Sequence, residues 1–439
     1  MNTQQTHLQA IQQQINAYCE TYFNFSFNPQ QPMVRLHEPT ASGTEIFAAL
    51  DTMLSTFTTM GKKVRAFEKQ YAEYNATQYA IMSNSGSSSN LLSIAALANP
   101  VTPNYLKPGE EVIVPALSWS TTIWPVIQHN LIPVLVDCDL NDFNLDMNKL
   151  EKAIGPKTRA IKLVHVYGNP CNMDAMMQLA KKHNLVIIED CCEAMGATYD
   201  GKPVGSFGKV GNFSFFFSHH ISTMEGGISV TNDFELTETM RILRAHGWSR
   251  EADEHQKYAA RYPDIDPRFI FINLGYNLRP TEVNAAMGQV QLPKLDAFID
   301  KRRETAAFFL KHLSQYQEFF HFQHETPKSK HVWFGFPIVL KENAPFSLKD
   351  ITTYIQQHHI ETRPIIAGNM ARHPAFELYP HRIAGDLSSA DTIMNRGFAI
   401  PCHHAVDEKA RTYMMNVIDT FMQNARRQSP SHAKKETIA

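Results

Sequence analysis

Residues 185–232 read LVIIEDCCEAMGATYDGKPVGSFGKVGNFSFFFSHHISTMEGGISVTN. Three short apolar runs in this stretch, LVIIED, NFSFFFS and GGISVTN, have the length and the β-branched or aromatic content of buried strands. Toward the N-terminus lie four more such runs: YAIMSNSG from Tyr79, EVIVPALSW from Glu111, IPVLVDCD from Ile132 and AIKLVHVYG from Ala160. Stretches of helical character separate the first five, including NLLSIAAL from Asn90 and DAMMQLAKKHN from Asp174. Strands alternating with helices predict an α/β fold built on a seven-stranded, mostly parallel sheet covered on both faces. Ligands of such sheets gather at the carboxyl ends of the strands. Residues 83–89, Trp119, Asp190, Ser214 and His219 occupy those positions.

Beyond this region the sequence predicts a helical stretch near 281–318, the run WFGFPIVL (333–340), a helix near 347–358 and then IETRPI. These read as a smaller α/β C-terminal domain. The expected division is an N-terminal arm over 1–40, a large domain over 41–295, a small domain over 296–423 and a polar tail over 424–439. The chain has 439 residues, 43% apolar and 19% charged, with a net charge of −2. That composition fits an ordinary globular protein and argues against a nucleic-acid or anionic-membrane partner. No apolar run approaches the roughly 18 residues of a membrane span. The Gln-rich start lacks the basic and apolar regions of a secretion signal. Six cysteines, at 19, 138, 171, 191, 192 and 402, form no C-x-x-C pair. A reducing, cytoplasmic setting is expected, and no metal site.

Three stretches carry chemistry. SNSGSSSN (83–90) is a Gly/Ser-rich turn from strand to helix, and backbone N–H groups at a helix N-terminus make an anion site. Alone, such a turn reads equally as a helix cap. IIEDCCEAMGA (187–197) puts Asp190 at the end of an apolar strand, where a carboxylate can pair with a protonated ring nitrogen or simply cap the next helix. GNFSFFFSHHISTMEGG (211–227) is the most specific, with Ser214 as a phosphate contact and His219 as an imidazole able to shuttle protons near neutrality. As an isolated residue, His219 reads as a structural histidine.

In order along the chain, SHHISTMEGG, LRAHGWSR, LGYNLRP, WFGFP and ETRPI resemble the DegT/StrS-type family of sugar aminotransferases and dehydratases, over about residues 40–420. Within it they look like the 3-dehydratase branch acting on GDP-4-keto-6-deoxymannose (ColD type). The resemblance implies the fold type I, aspartate-aminotransferase-like architecture of pyridoxal-phosphate (PLP) enzymes. It implies that Gly86, Ser87 and Ser214 hold the cofactor phosphate, with Asn277 reaching it from the neighbouring subunit of a homodimer. Trp119 would stack on the pyridine ring, Asp190 would bind its nitrogen, and Glu193 would address its hydroxyl side. His219 would be the catalytic acid/base, standing where relatives carry the Schiff-base lysine. His246, Trp248, Arg279 and Arg363 are candidates for the sugar or nucleotide, and each reads equally as a packing residue.

The reaction so implied starts from the pyridoxamine form (PMP), charged by an amino acid such as glutamate. It removes the C3 hydroxyl of a nucleotide-linked 4-keto-6-deoxyhexose, giving a 4-keto-3,6-dideoxy sugar for lipopolysaccharide. Three rivals remain. The arm 1–40 and the stretch from AGNMARHPAF to NRGF are closer to CDP-linked hexulose 3-dehydrases, which carry an iron–sulfur cluster and use a reductase. The segment 245–265 contains none of the cysteines such a cluster needs. A sugar aminotransferase would need the missing lysine. A non-enzymatic regulator would need a degraded pocket.

Overall fold

The computed structural model describes residues 3–428; residues 429–439 of the expected polar tail lie outside them. In chain order the strands are β1 (Tyr79–Ser83), β2 (Glu111–Pro115), β3 (Ile132–Val136), β4 (Thr158–Val164), β5 (Val186–Asp190), β6 (Thr198–Tyr199), β7 (Lys202–Pro203), β8 (Val210–Ser214), β9 (Gly227–Thr231), β10 (Phe320–Phe322), β11 (Ser329–Lys330), β12 (Phe336–Leu340), β13 (Arg382–Ile383) and β14 (Gly397–Ile400). The seven expected strands form one sheet in the order β1-β9-β8-β5-β4-β2-β3, and β13 extends it to eight. Pairings from β8 to β13 are parallel, whereas β9 runs antiparallel to both β1 and β8.

Helices α1 (Thr3–Tyr22), α2 (Gly43–Leu54), α3 (Lys62–Tyr74), α4 (Gly86–Leu97), α5 (Ser120–Gln128), α6 (Met147–Ala153), α7 (Met173–His183) and α8 (Phe234–Arg244) belong to the first part of the chain. Successive strand side chains point to opposite faces, and β4 shows the consequence. Ala160 and Val164 join the core under α4, α5 and α8, while Ile161 and Leu163 join the core under α6 and α7. Strands buried on both faces read as continuous apolar runs.

A second core surrounds the antiparallel sheet β10-β12-β14. Phe309, Phe336, Ile351, Phe398 and Met414 fill it, and the arm contributes Phe27 and Val34. The expected strand 333–340 begins only at Phe336. Trp333 adopts a left-handed φ of 49°, and the Arg302 guanidinium donates to the carbonyls of Trp333, Phe334 and Cys402 at 3.1, 3.1 and 2.8 Å. Those bonds turn Trp333 and Phe334 out of the ladder. NFSFFFS likewise stops pairing at Ser214, where the chain turns.

The buried Arg302 sits among buried histidines. Burial first, then the charge of Arg302, pushes His403 down to about 3 and His404 down to about 4 from 6.5; burial, then Arg363, then Arg302 push His219 down to about 3. His220 and His331 are also driven well down by burial. The unfolded chain therefore binds protons on these rings near pH 6.5 while the native protein does not. Stability is full above pH 6.5 and falls as the pH drops toward 3–4, by up to ~1.4 kcal/mol per pH unit per histidine. Glu193 and Asp142, raised by burial to about 7 and about 6, oppose this but are outnumbered. Chemical denaturation at pH 7.5 and pH 5.5 is expected to show a loss of several kcal/mol at the lower pH. A midpoint independent of pH over that interval would contradict the neutral burial of these rings.

Candidate active site

The carboxyl ends of β4, β5 and β8 and the N-termini of α4 and α5 converge on a cavity of about 380 Å³. A larger cleft of about 730 Å³ opens at the other end of the strands beside Lys107, Arg159 and Lys209, and contains none of the expected site residues. Lys209 is ion-paired there with Asp233.

One wall is built from the ends of three neighbouring strands. Gly227 lies opposite both Ser83 and Ser214. A Cβ at Gly227 would come within 2.3 Å of the Ser85 carbonyl oxygen, and one at Gly86 within 2.4 Å of Ser214 Cβ. Only glycines permit this closeness, which brings the N-terminus of α4 onto the end of β8. Ser85 caps α4 by accepting the Ser88 N–H at 3.0 Å, and Ser87 Oγ lies 3.1 Å from Thr121 Oγ1 at the start of α5. Two helix N-termini with hydroxyl side chains so border one space, an arrangement suited to an anion.

Asp190 lies on the cavity floor, 4% exposed. Its carboxylate accepts from Asn90 Nδ2 at 2.9 Å, Thr122 Oγ1 at 2.7 Å and the Cys192 N–H at 3.1 Å. The Trp119 indole, 55% exposed, forms a wall of the same cavity. Glu193 follows on the turn after β5 and accepts the Tyr167 N–H at 2.8 Å. Burial raises its carboxyl to about 7, against the opposing charge of Arg363.

His219 lines the cavity from the turn after β8, closed by its N–H bond to the Phe216 carbonyl at 2.9 Å. Its ring is 5.0 Å from that of Phe334 and 6.0 Å from that of Phe216. Its Nδ1 is buried without a hydrogen-bond partner, so aromatic packing rather than a carboxylate orients the ring. His220 turns the other way and places Nε2 3.1 Å from the Val332 carbonyl. Arg363 covers the Phe334 ring, its guanidinium carbon 5.5 Å from the centroid.

Gly86, Ser87, Trp119, Asp190, Glu193, Ser214, His219 and Arg363 thus share one cavity. Asn277, His246 and Arg279 do not line it. Asn277 accepts from Arg279 Nε at 3.0 Å, and His246 packs on Trp248 with ring centroids 5.4 Å apart. Cys192 lines the cavity, whereas Cys191 lies in the core with Phe213 and Phe215. The neighbouring trio His165, Glu189 and Cys191 is held by hydrogen bonds. His165 Nδ1 accepts the Cys171 N–H, which leaves Nε2 to donate to Glu189, and Glu189 takes three further backbone N–H groups from residues 205–208.

Sequence reasoning missed Asn90, Thr122, Phe334 and Lys162. Asn90 stands one turn into α4 and Thr122 in the first turn of α5, where helical spacing from Gly86 and Trp119 was the available signal. Lys162 interrupts the apolar run AIKLV of a buried strand, and its side chain is fully buried. Gly86→Ala is expected to push α4 off β8 and to weaken anion binding in the cavity by roughly tenfold or more, equivalent to about 1.4 kcal/mol. Titration of the variant and the native chain with pyridoxamine phosphate and with dephosphorylated pyridoxamine checks this. The loss should appear with the phosphorylated compound only.

The family model for DegT/DnrJ/EryC1/StrS aminotransferases matches residues 40–419. The chain is 40% identical over 378 residues to GDP-4-keto-6-deoxy-D-mannose 3-dehydratase of Yersinia pseudotuberculosis, covering 84% of this chain and 95% of the relative. It is 33% identical over 429 residues to the lipopolysaccharide biosynthesis protein RfbH of Salmonella typhimurium, covering 94% and 98%. Among solved structures it is similar to GDP-4-keto-6-deoxymannose-3-dehydratase with a trapped PLP-glutamate geminal diamine, at 34% identity and a TM-score of 0.81, covering 88% of this chain and 99% of that one. A histidine-to-asparagine variant of ColD with bound GDP-perosamine matches with a TM-score of 0.83 at 35% identity, over 88% and 99%. The protein belongs to the DegT/DnrJ/EryC1/StrS aminotransferase family.

Proposed function

We propose that this chain is a PLP/PMP-dependent 3-dehydratase that removes the C3 hydroxyl of a GDP-linked 4-keto-6-deoxyhexose. One observation carries the reading: His219 faces the cavity, and no lysine is among the described residues that line it. The residues present suit the cofactor. The phosphate would rest against Gly86, Ser87 and Ser214, the ring against Trp119, its nitrogen on Asp190, and its hydroxyl side toward Glu193. When bound, the cofactor supplies an electron-withdrawing ring and the amino group that condenses with the sugar ketone.

The chain's own residues do the rest. Asp190, fixed by three donors, holds positive charge on the ring nitrogen. His219, neutral at physiological pH, takes a proton at the cofactor C4′ carbon and returns one to the departing C3 hydroxyl. Phe334 and Phe216 hold its ring in place. Arg363 brings a positive charge to the same wall. The named relatives support the GDP-sugar substrate, and the solved PLP-glutamate adduct supports glutamate as the amino donor. Asn277, Arg279 and His246 stand outside their own chain's cavity, which supports a homodimer whose second subunit receives them.

Among the described residues no helix is long and apolar enough to cross a membrane, and a cytoplasmic role in lipopolysaccharide sugar synthesis is the proposed setting. The match with RfbH keeps the reductase-partnered reading in view. Cys192 lines the cavity while Cys191 lies in the core, and this separation weighs against a cluster there.

The test is incubation with PMP, glutamate and a panel of GDP-, CDP- and dTDP-linked 4-keto-6-deoxy sugars, following 2-oxoglutarate and ammonia. Both products should appear with the GDP sugar, and release of neither would end the proposal. His219→Asn should lower turnover by roughly 10²–10⁴-fold while retaining cofactor binding. His219→Lys should become covalently labelled after borohydride treatment with PLP, and labelling of any lysine in the native chain would contradict the assignment.

A further inference from the structure

Lys162 is a buried titratable group beside the cavity that the proposed reaction does not use. On β4 it shares a face with Ala160 and Val164; the register with β5 sets Val164 opposite Asp190 and Lys162 opposite Ile188, one pleat below. The side chain is fully buried, and its Nζ has no hydrogen-bond partner. The titratable groups facing it are Asp190 and Cys192. Burial pushes the Cys192 thiol well up, so it carries no charge. Asn90 from α4 and Thr122 from α5 reach the same carboxylate and do not titrate. The three hydrogen bonds on Asp190 all come from neutral donors, and Lys162, one pleat below, feels the charge of that carboxylate.

We infer that Lys162 is a positioning residue that shares Asp190 with the cofactor: its ammonium is the counter-ion of Asp190 in the free protein, and it gives up a proton when a protonated pyridine nitrogen takes that carboxylate from the cavity side. The inference rests on the proposed reading that such a ring binds at Asp190. Two cations cannot both be held at one buried carboxylate without large cost, and the buried amine is the one able to become neutral. Burial has already brought it down to about 8 against the raising effect of Asp190. The proton passes to bulk buffer or offsets the one taken up by the ring nitrogen, and no bond to carbon changes.

Calorimetry of PMP binding in buffers of different ionisation enthalpy reads the proton balance directly. At pH 7 the native protein should take up fewer protons per site than Lys162→Met, by up to one. Below about pH 8 the affinity–pH slope of the native protein should be more positive than that of Lys162→Met, by as much as tenfold per unit for a full proton released. Lys162→Arg, whose charge cannot be released, should bind PMP at least tenfold more weakly than the native chain at every pH. Equal proton counts in native and Lys162→Met proteins that both bind PMP would overturn the inference and leave the proposed function standing. If the native chain binds no PMP, the reading beneath it fails and the inference with it.

Discussion

A carboxylate nine-tenths buried at the end of a parallel strand is stable only where donors meet it, and the site is organised around that requirement at Asp190. Its three bonds come from α4, α5 and the turn after β5. Each donor ties a separate element to the sheet end. With α4 held by Asn90, its N-terminus, one turn earlier, must lie against β8, and the glycines at 86 and 227 make that approach possible. With α5 held by Thr122, Trp119 stands at the helix start facing the same space. The anion cradle, the aromatic wall and the acidic floor are therefore consequences of satisfying one buried group.

The imidazole depends on the other part of the chain. His219 lacks the carboxylate partner that commonly orients a catalytic histidine, and its ring rests on Phe334. That phenyl is placed by backbone rather than by packing alone, because Arg302 binds the carbonyls on either side of the bend. Arg302 thus joins the helix Leu295–Leu313, the bend before β12 and the segment after β14. A shift between the two cores would move Phe334, and with it the ring of His219. The arm reinforces this junction, since Phe27 and Val34 lie in the second core while His37 packs edge-on against Phe217 at 4.7 Å.

Much of this was legible in the sequence. The run of strands and the positions of Asp190, Ser214 and His219 follow from apolar periodicity and from the polar residue that ends each run. What could not be read is what depends on contacts distant in sequence. Phe334 sits in a run that reads as strand, and bonds from Arg302, 31 and 32 residues away, together with the Phe334 N–H bond to the Tyr167 carbonyl, hold it out. Lys162 is one polar letter in an apolar strand, and no local pattern shows that Asp190 lies across the next strand. His220 faces away from the cavity because the chain turns there, which no strand alternation would show. The eighth strand β13 has two residues, too few for any periodicity.

The three acid–base groups of the cavity illustrate how environment separates like chemistries. Asp190 has its carboxylate met by three neutral donors. Glu193, a helical turn further on, has one N–H partner and deep burial, and its carboxyl is held near neutrality at about 7. His219 is deeply buried, has no partner on Nδ1 and has two arginines within electrostatic reach, and it stays neutral. A neutral imidazole can accept a proton without first losing one, whereas a lysine ammonium in the same field would have to be deprotonated before acting as base. The burial that keeps His219 neutral, aided by the guanidinium charges, also makes its protonated form short-lived, so a proton gained is readily passed on. Acceptance followed by prompt return is what loss of a hydroxyl next to a proton-abstraction site demands, and it follows here from the burial of the imidazole and from the two arginine charges near it.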